Sequence, residues 1–172
     1  MNLQSNDFEI FGLTPSFGLD RMKLDERWKQ LQREVHPDRH ASSDAQLQRQ
    51  AMQWSVRVNE AYQRLKDPIK RAAYLCELHG ASVDAENNTR MPSDFLIQQM
   101  EWREALEEAS SAGDLEDMAD EVAEKRRRMI EEARRLADDE SDYPALAQQV
   151  RALMFVERFA RDVEARLEQL GQ

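Results

Sequence analysis

The chain has 172 residues, enough for one or two domains, and carries a net charge of −10 from 24 Lys and Arg against 34 Asp and Glu. A surface this acidic repels polyanions, which argues against broad binding to nucleic acid or to an anionic membrane. Five glycines, five prolines and 34% charged residues indicate long helices rather than strands, and a single cysteine, Cys76, excludes a disulfide framework and paired-cysteine metal sites.

No run approaches the roughly 18 apolar residues of a spanning helix. Met1 to Asp7 lack the basic and apolar pattern of a secretory signal. A soluble, reducing, cytoplasmic setting is therefore expected.

In chain order, a short first helix is expected over Asp7 to Leu13, closed by Gly12-Leu13-Thr14-Pro15. Leu24, Trp28, Leu31 and Val35 recur at spacings of four, three and four and draw an apolar stripe along a second helix. Pro37 stops it, because the residue before a proline avoids the helical region. A third helix is expected over about Ala45 to Leu65. Its stripe is Leu47, Ala51, Trp54, Val58, Ala61, Tyr62 and Leu65, and Trp28 and Trp54 are read as core. Asp67-Pro68 ends it, and a short fourth helix runs to His79 with Gly80 as its cap.

Residues 81 to 92 are polar, small and aperiodic and read as a linker. Three further helices follow. One starts near Ser93, a suitable N-cap, and stops near Gly113. The next runs from about Asp114 to Leu136, ahead of Asp138-Asp139-Glu140. The last runs from about Pro144, which suits a first turn, to Leu170. Three helices with short loops form an antiparallel bundle. The organisation expected is thus all-α: a first domain over 1–79, a linker over 80–92 and a three-helix bundle over 93–172.

The first helix of the bundle carries Phe95, Trp102, Leu106 and Ala109 on one stripe. Leu96, Ile97 and Met100 fall on another face, beside Glu101, Glu104 and Glu108. An apolar patch edged by carboxylates is either a binding surface or a face covered by the last helix or by the first domain. On the last helix Leu146, Val150, Leu153, Val156, Ala160, Val163 and Leu167 form the core face. Phe155 points the other way, among Arg151, Arg158 and Asp162, and joins the patch if the two faces meet. Lys125-Arg126-Arg127-Arg128 on the middle helix is balanced by nearby glutamates and reads as a solvated, salt-bridged surface.

Between the second and third helices stands His36-Pro37-Asp38-Arg39. Residues 21 to 40 hold six basic and four acidic side chains, a local charge of +2. Lys29 and Arg33 lie opposite the apolar stripe and face water. They form either an ordinary solvated face or a surface that steers an acidic partner. His36 and His40 have the spacing of half a metal site, but Pro37 breaks the helical register and no further ligands cluster there, so no metal is expected. Cys76, among Tyr74, Leu75 and Leu78, reads as a buried and inert thiol.

The string His36-Pro37-Asp38 resembles the loop of a J-domain. Asp7-Phe8-Glu9-Ile10-Phe11-Gly12-Leu13 stands upstream of it, and Asn59-Glu60-Ala61-Tyr62, Asp67-Pro68, Lys70-Arg71-Ala72 and Tyr74 downstream, as in that family. The resemblance implies docking on a DnaK-like ATPase chaperone through Arg27, Lys29 and Arg33, with His36, Pro37 and Asp38 promoting ATP hydrolysis by the partner. Pro37 would hold the loop shape by fixing φ. Gln30, Arg39 and Leu75 depart from the common J-domain pattern.

Arg71-Ala72-Ala73-Tyr74-Leu75, Leu78-His79-Gly80 and the segment from Phe95 to Glu104 extend the resemblance over the whole chain, to the HscB family of iron–sulfur cluster assembly. That resemblance implies an ATPase partner, HscA, and a cluster scaffold, IscU. IscU would be held by Leu96, Ile97, Met100, Glu101, Glu104, Glu108 and Phe155. It implies an adaptor with no catalytic residues and no cofactor of its own. A J-protein delivering unfolded clients is the alternative, weakened by the lack of a Gly/Phe-rich segment and of cysteine repeats. An enzyme using His36 and Asp38 as acid and base is the second, weakened because a loop tip rarely offers a pocket.

Overall fold

The computed structural model describes residues 2–36, 38, 44–83 and 91–171. Pro37, Arg39 and His40, and residues 84–90 of the expected linker, lie outside the described residues. The elements in order are α1 (Asp7–Ile10), α2 (Arg21–Val35), α3 (Ala45–Lys66), α4 (Pro68–Leu78), α5 (Ser93–Glu108), α6 (Ala112–Arg134) with a π-helical turn over Arg135–Asp139, and α7 (Tyr143–Leu170). The described residues contain no strand. The chain divides into two compact units, Met1–Leu75 and Cys76–Gln172, so the division falls within α4 and ahead of the polar stretch 80–92.

Side chains start most of these helices. Asn6, Asp20, Asp44, Ser111 and Asp142 each accept a backbone N–H from the first turn that follows. Asp67 closes α3, and its Oδ1 accepts the N–H groups of Ile69 and Lys70 at 2.9 and 3.1 Å, so one residue ends a helix and opens the next. The exception is α5. Ser93 is its first helical residue and not its cap; Pro92 takes the cap position and offers no side-chain hydrogen bond.

Two glycines stop helices in the same way. Gly12 and Gly80 take φ of +67° and +73°, a region that side chains with a Cβ avoid. Behind each, the chain folds back onto the last turn: Leu13 N–H donates to Phe8 O at 2.8 Å, and Ala81 N–H to Cys76 O at 2.9 Å. This ends α1 at Ile10, three residues before the expected Leu13.

In the N-terminal unit, α2 and α3 form an antiparallel hairpin. Leu24 and Leu31 bury against the α3 stripe, where Ala51, Val58, Ala61 and Leu65 are also buried. The hairpin core ends at Leu31 and Ala51, which leaves Leu47 exposed in the first turn of α3. Trp28 and Trp54 are half-buried and not core. Trp28 stacks on Tyr62 with ring centroids 4.7 Å apart, while its Nε1 donates to Asn59 at the wetter edge.

One buried charge ties this unit together. Asp7, the first residue of α1, is fully buried. Its carboxylate meets Arg57 Nη2 at 2.8 Å and Arg64 Nε at 3.0 Å, two arginines on one face of α3. Asp7 N–H donates to the Tyr74 hydroxyl at 2.9 Å, and the Arg64 guanidinium lies 4.6 Å from the Tyr74 ring centre. Arg57 also donates to the carbonyls of Leu3 and Ser5. Three helices therefore converge on one residue, α3 at its carboxylate and α4 at its backbone N–H.

In the C-terminal unit, α6 contributes Leu115, Val122, Met129 and Ala133 to the core. From α7 come Leu146, Val150, Leu153, Val156, Phe159 and Val163. α5 adds a fully packed Trp102, stacked on Phe159 at 5.0 Å. Arg151, expected on the wet side of α7, is buried instead, with Nη1 donating to Val83 O at 2.9 Å. Val83 is buried as well, so the chain just after α4 is held against α7.

Removing one partner of a buried ion pair strands the other, at a cost of about 3 kcal/mol or more. Asp7→Ala is therefore expected to lower the stability of the N-terminal unit by that amount. Urea unfolding followed by Trp28 and Trp54 fluorescence would show it, and a variant of unchanged midpoint would mean the carboxylate is dispensable.

Candidate functional site

The first candidate surface is the outer face and tip of the α2–α3 hairpin. A row of polar contacts runs along its length. Tyr62 OH donates to Asp25 at 2.7 Å, Gln32 Nε2 to Asn59 at 2.8 Å and Ser55 Oγ to Gln32 at 3.2 Å, with the Trp28–Asn59 bond between them. Asn59 thus accepts from two α2 side chains. The Tyr62 hydroxyl, followed by Arg21 2.9 Å away, holds the Asp25 carboxyl below its ordinary range, and the same bond raises Tyr62. These bonds fix the register of the two helices and hence the placement of the tip.

At the tip, His36 is the extended residue that ends α2. Asp38 N–H donates to His36 Nδ1 at 3.2 Å, and the Asp38 carboxylate lies 3.7 Å from the same nitrogen. With Nδ1 accepting, the neutral ring carries its proton on Nε2. The Asp38 side chain is 92% exposed, a carboxylate presented to solvent. Down α2, Lys29 and Arg33 are exposed, and Arg27 is half-buried with Nη1 donating to Gln30 at 3.0 Å. Gln30, noted above as a departure, thus holds a basic neighbour in place.

The second candidate surface is on α5. Leu96, Ile97 and Met100 are 45%, 55% and 67% exposed, although each is large and apolar. The rest of the C-terminal unit leaves them open. Glu101, Glu104 and Glu108 are exposed beside them. Phe155 is half-buried and not isolated: it meets Phe95 edge-on at 5.7 Å and Phe159 at 6.3 Å. The helix faces therefore do meet, and Met100, Glu104 and Phe155 line one open hollow of about 310 Å³ with Gln99 and Arg103.

Arg103 escaped sequence reasoning. Its guanidinium lies 5.6 Å from the Phe155 ring centre and 5.9 Å from that of Phe159, and pairs with Asp162 at 3.1 Å. It locks α5 to α7 beneath the hollow. The charge at position 103 looks like any surface arginine in sequence; only the aromatic pair seven and three residues before Asp162 signals its use.

Among the described residues, no three His, Cys, Asp or Glu side chains gather as a metal site, and no helix is long and apolar enough to cross a membrane. Cys76 is fully buried, its thiol donating to Tyr143 O at 3.7 Å, and burial pushes its pKa up to about 11.

A helical hairpin with an exposed His and Asp at its tip, tied to short flanking helices and followed by a separate helical unit, defines a J-domain co-chaperone with an added C-terminal domain. Residues 6–74 match the DnaJ domain family, and residues 91–164 match the family described as the HSCB C-terminal oligomerisation domain. The chain is 46% identical to the co-chaperone protein HscB homologue of Burkholderia thailandensis, over 99% of this chain and 98% of that one. Its fold is similar to chaperone HscB from Vibrio cholerae, with a TM-score of 0.82 and 34% identity over 96% of this chain and 99% of that one. Human co-chaperone HscB is similar too, with a TM-score of 0.90 and 25% identity over 96% of this chain and 84% of that one. The chain belongs to the HscB co-chaperone family.

The buried thiol makes a pH prediction. The folded pKa lies above the unfolded value of about 8.5, so the unfolded chain releases this proton first. Stability from this group is full below that pH and is lost as pH rises toward about 11. Cys76→Ala is expected to flatten the fall of the urea midpoint over that window. Labelling of native Cys76 at pH 8 should be slower than in urea by on the order of a hundredfold, from thiolate fraction alone. Equal labelling rates would show the thiol to be accessible.

Proposed function

We propose that this protein is a non-catalytic adaptor that joins a DnaK-like ATPase chaperone, HscA, to the iron–sulfur scaffold IscU in the cytoplasm. The observation that carries this reading is the presence of two exposed surfaces of different chemistry on separate units of a short chain. One is polar and basic, with His36 and Asp38 at its end. The other is apolar with an acidic rim, and the unit that bears it leaves it uncovered.

The hairpin surface suits a partner with an acidic docking face. Arg27, Lys29 and Arg33 supply charge that speeds and orients encounter more than it adds affinity. His36 and Asp38 offer a ring N–H and a carboxylate to polar groups of the ATPase. Hydrolysis belongs to the chaperone; this chain supplies contacts that favour the competent state of the partner.

The α5 surface suits a folded partner with a complementary apolar spot and basic edge. Leu96, Ile97, Met100 and Phe155 form the centre, and Glu101, Glu104 and Glu108 the rim, the arrangement in which central apolar residues dominate binding energy. Holding both partners on one chain raises the effective concentration of each for the other. The reading places the chain's part in cluster release or transfer from the scaffold, without a cofactor of its own. Delivery of unfolded clients, the alternative, fits this surface less well, because a charged rim around a small patch favours one shaped partner over many extended ones.

The deciding experiment is steady-state ATP hydrolysis by HscA with this protein, with and without IscU. Stimulation by both together that exceeds the sum of each alone is expected. Stimulation indifferent to IscU would remove the scaffold from the reading. His36→Gln is expected to abolish stimulation while leaving helicity and scaffold binding intact; full stimulation by that variant would overturn the hairpin mechanism.

Leu96→Ala, Met100→Ala and Phe155→Ala together are expected to weaken IscU binding by about a hundredfold, at about 1 kcal/mol or more per central residue. Isothermal titration checks the affinity and circular dichroism the fold. Unchanged affinity would make these residues packing groups.

A further inference from the structure

A groove of about 450 Å³ opens on the C-terminal unit, bounded by the start of α5, the second half of α6 and the first half of α7. Its floor is apolar, made by Phe95 together with the buried Met129, Leu136 and Ala152. Lys125 and Arg128 stand one helical turn apart on its α6 rim, and Gln148 and Gln149 line it from α7. None of these residues lines the hollow beneath α5.

The rim carries positive charge that is paired at long range in Arg128 and unpaired in Lys125 among the described residues. Elsewhere on α6 the arginines are held at close range: Arg126 by Glu157, Arg127 by Glu124 at 2.6 Å and Arg134 by Glu131 at 2.9 Å. Arg128 reaches only Glu124, at 3.7 Å, and Arg127 already occupies that carboxylate. Lys125 makes no ion pair among the described residues. The one acid of the rim, Glu132, is taken by Arg135. A cationic mouth over an apolar floor stands out on a chain of net charge −10.

We propose that this groove docks a peptide segment that presents a large apolar side chain between carboxylates. The floor accepts the side chain, and Lys125 and Arg128 pair with the acids. Gln149 donates its amide N–H to Met129 O at 3.0 Å and keeps its carbonyl as an acceptor, while the exposed Gln148 offers both donors and an acceptor. An extended peptide backbone needs both, whereas an acyl tail needs neither. The groove is open to solvent, which lets a chain pass through it but leaves a small ligand short of the burial that holds one in a pocket. The inference stands apart from the scaffold reading, because its residues, and the sign of its rim, differ from those of the α5 patch.

The test is a nuclear magnetic resonance titration of the full-length, ¹⁵N-labelled protein. The probe is a capped peptide with a central phenylalanine flanked by acidic residues. Shift changes are expected at residues 125–132 and 145–152, with affinity that falls as salt is raised. Lys125→Glu with Arg128→Glu should weaken binding about tenfold or more, and so should replacing the acids of the peptide by their amides. Lys125→Gln with Arg128→Gln, which avoids new repulsion, should show a smaller loss in the same direction. Leu96→Ala with Met100→Ala should leave the affinity unchanged. No shifts at millimolar peptide, shifts confined to the exposed residues of α5, or affinity indifferent to the charge variants would each overturn the proposal. So would binding of decanoate at the groove with none of the peptide, which would make it a small-molecule site.

Discussion

A fully buried carboxylate near the start of the chain sets the order of the N-terminal unit. Asp7 is out of water and must be paired, because an isolated charge there costs far more than a domain's marginal stability can offset. Arg57 and Arg64 supply the pairing, and both are on α3. α1 is a single turn, too short to be stable by itself. It persists because its first residue is clamped, its N-cap is Asn6, and Phe8 and Ile10 sink into the core beside it. The bond from Asp7 N–H to Tyr74 then draws α4 to the same point.

This clamp holds the second half of α3, from Arg57 to Arg64, and the polar tip lies beyond the first turn of that helix. The same part of α3 is bonded to α2 by side chains as well as by apolar packing. Trp28, Gln32 and Asp25 each reach across to Asn59, Ser55 or Tyr62. Apolar contacts tolerate sliding, whereas donor–acceptor pairs do not, so these bonds fix where α2 ends relative to α3. The placement of His36 and Asp38 thus depends on residues well down the hairpin.

Much of this was legible in the sequence, and the failures have a common cause. Periodicity located α2, α3, α6 and α7 closely, because their buried stripes repeat at helical spacing. It also separated Leu96, Ile97 and Met100 from the buried face of α5. Periodicity says which side of a helix is apolar but nothing about what lies opposite. Nothing in the sequence around Asp7 signals its burial, since Arg57 is fifty residues away. Arg151 looked solvated, yet the carbonyl of Val83 meets it in the interior. Phe155 looked solitary, and Phe95 on another helix meets it edge-on. Trp28 and Trp54 scored as core because tryptophan is large and apolar, although the indole N–H of Trp28 needs a partner near the surface. The His-Pro-Asp string was informative for the opposite reason: a local motif needs no distant partner to be read.

Charge placement gives one small acidic chain two surfaces of opposite sign. Arg126, Arg127 and Arg134 of α6 spend their charge on glutamates three residues away or on α7, so they set up little field beyond the helix. What remains is local: a basic strip on α2, an acidic rim around the apolar residues of α5, and the cationic mouth formed by Lys125 and Arg128 on α6. A partner with an acidic face is drawn to the first and repelled by the second, and a basic-edged partner meets the reverse. Repulsion at the wrong surface is as important to discrimination as attraction at the right one. Beside the apolar centre of α5, Arg103 of that helix pairs with Asp162 of α7 and lies over the Phe155 and Phe159 rings, a link between the two helices that flank the hollow.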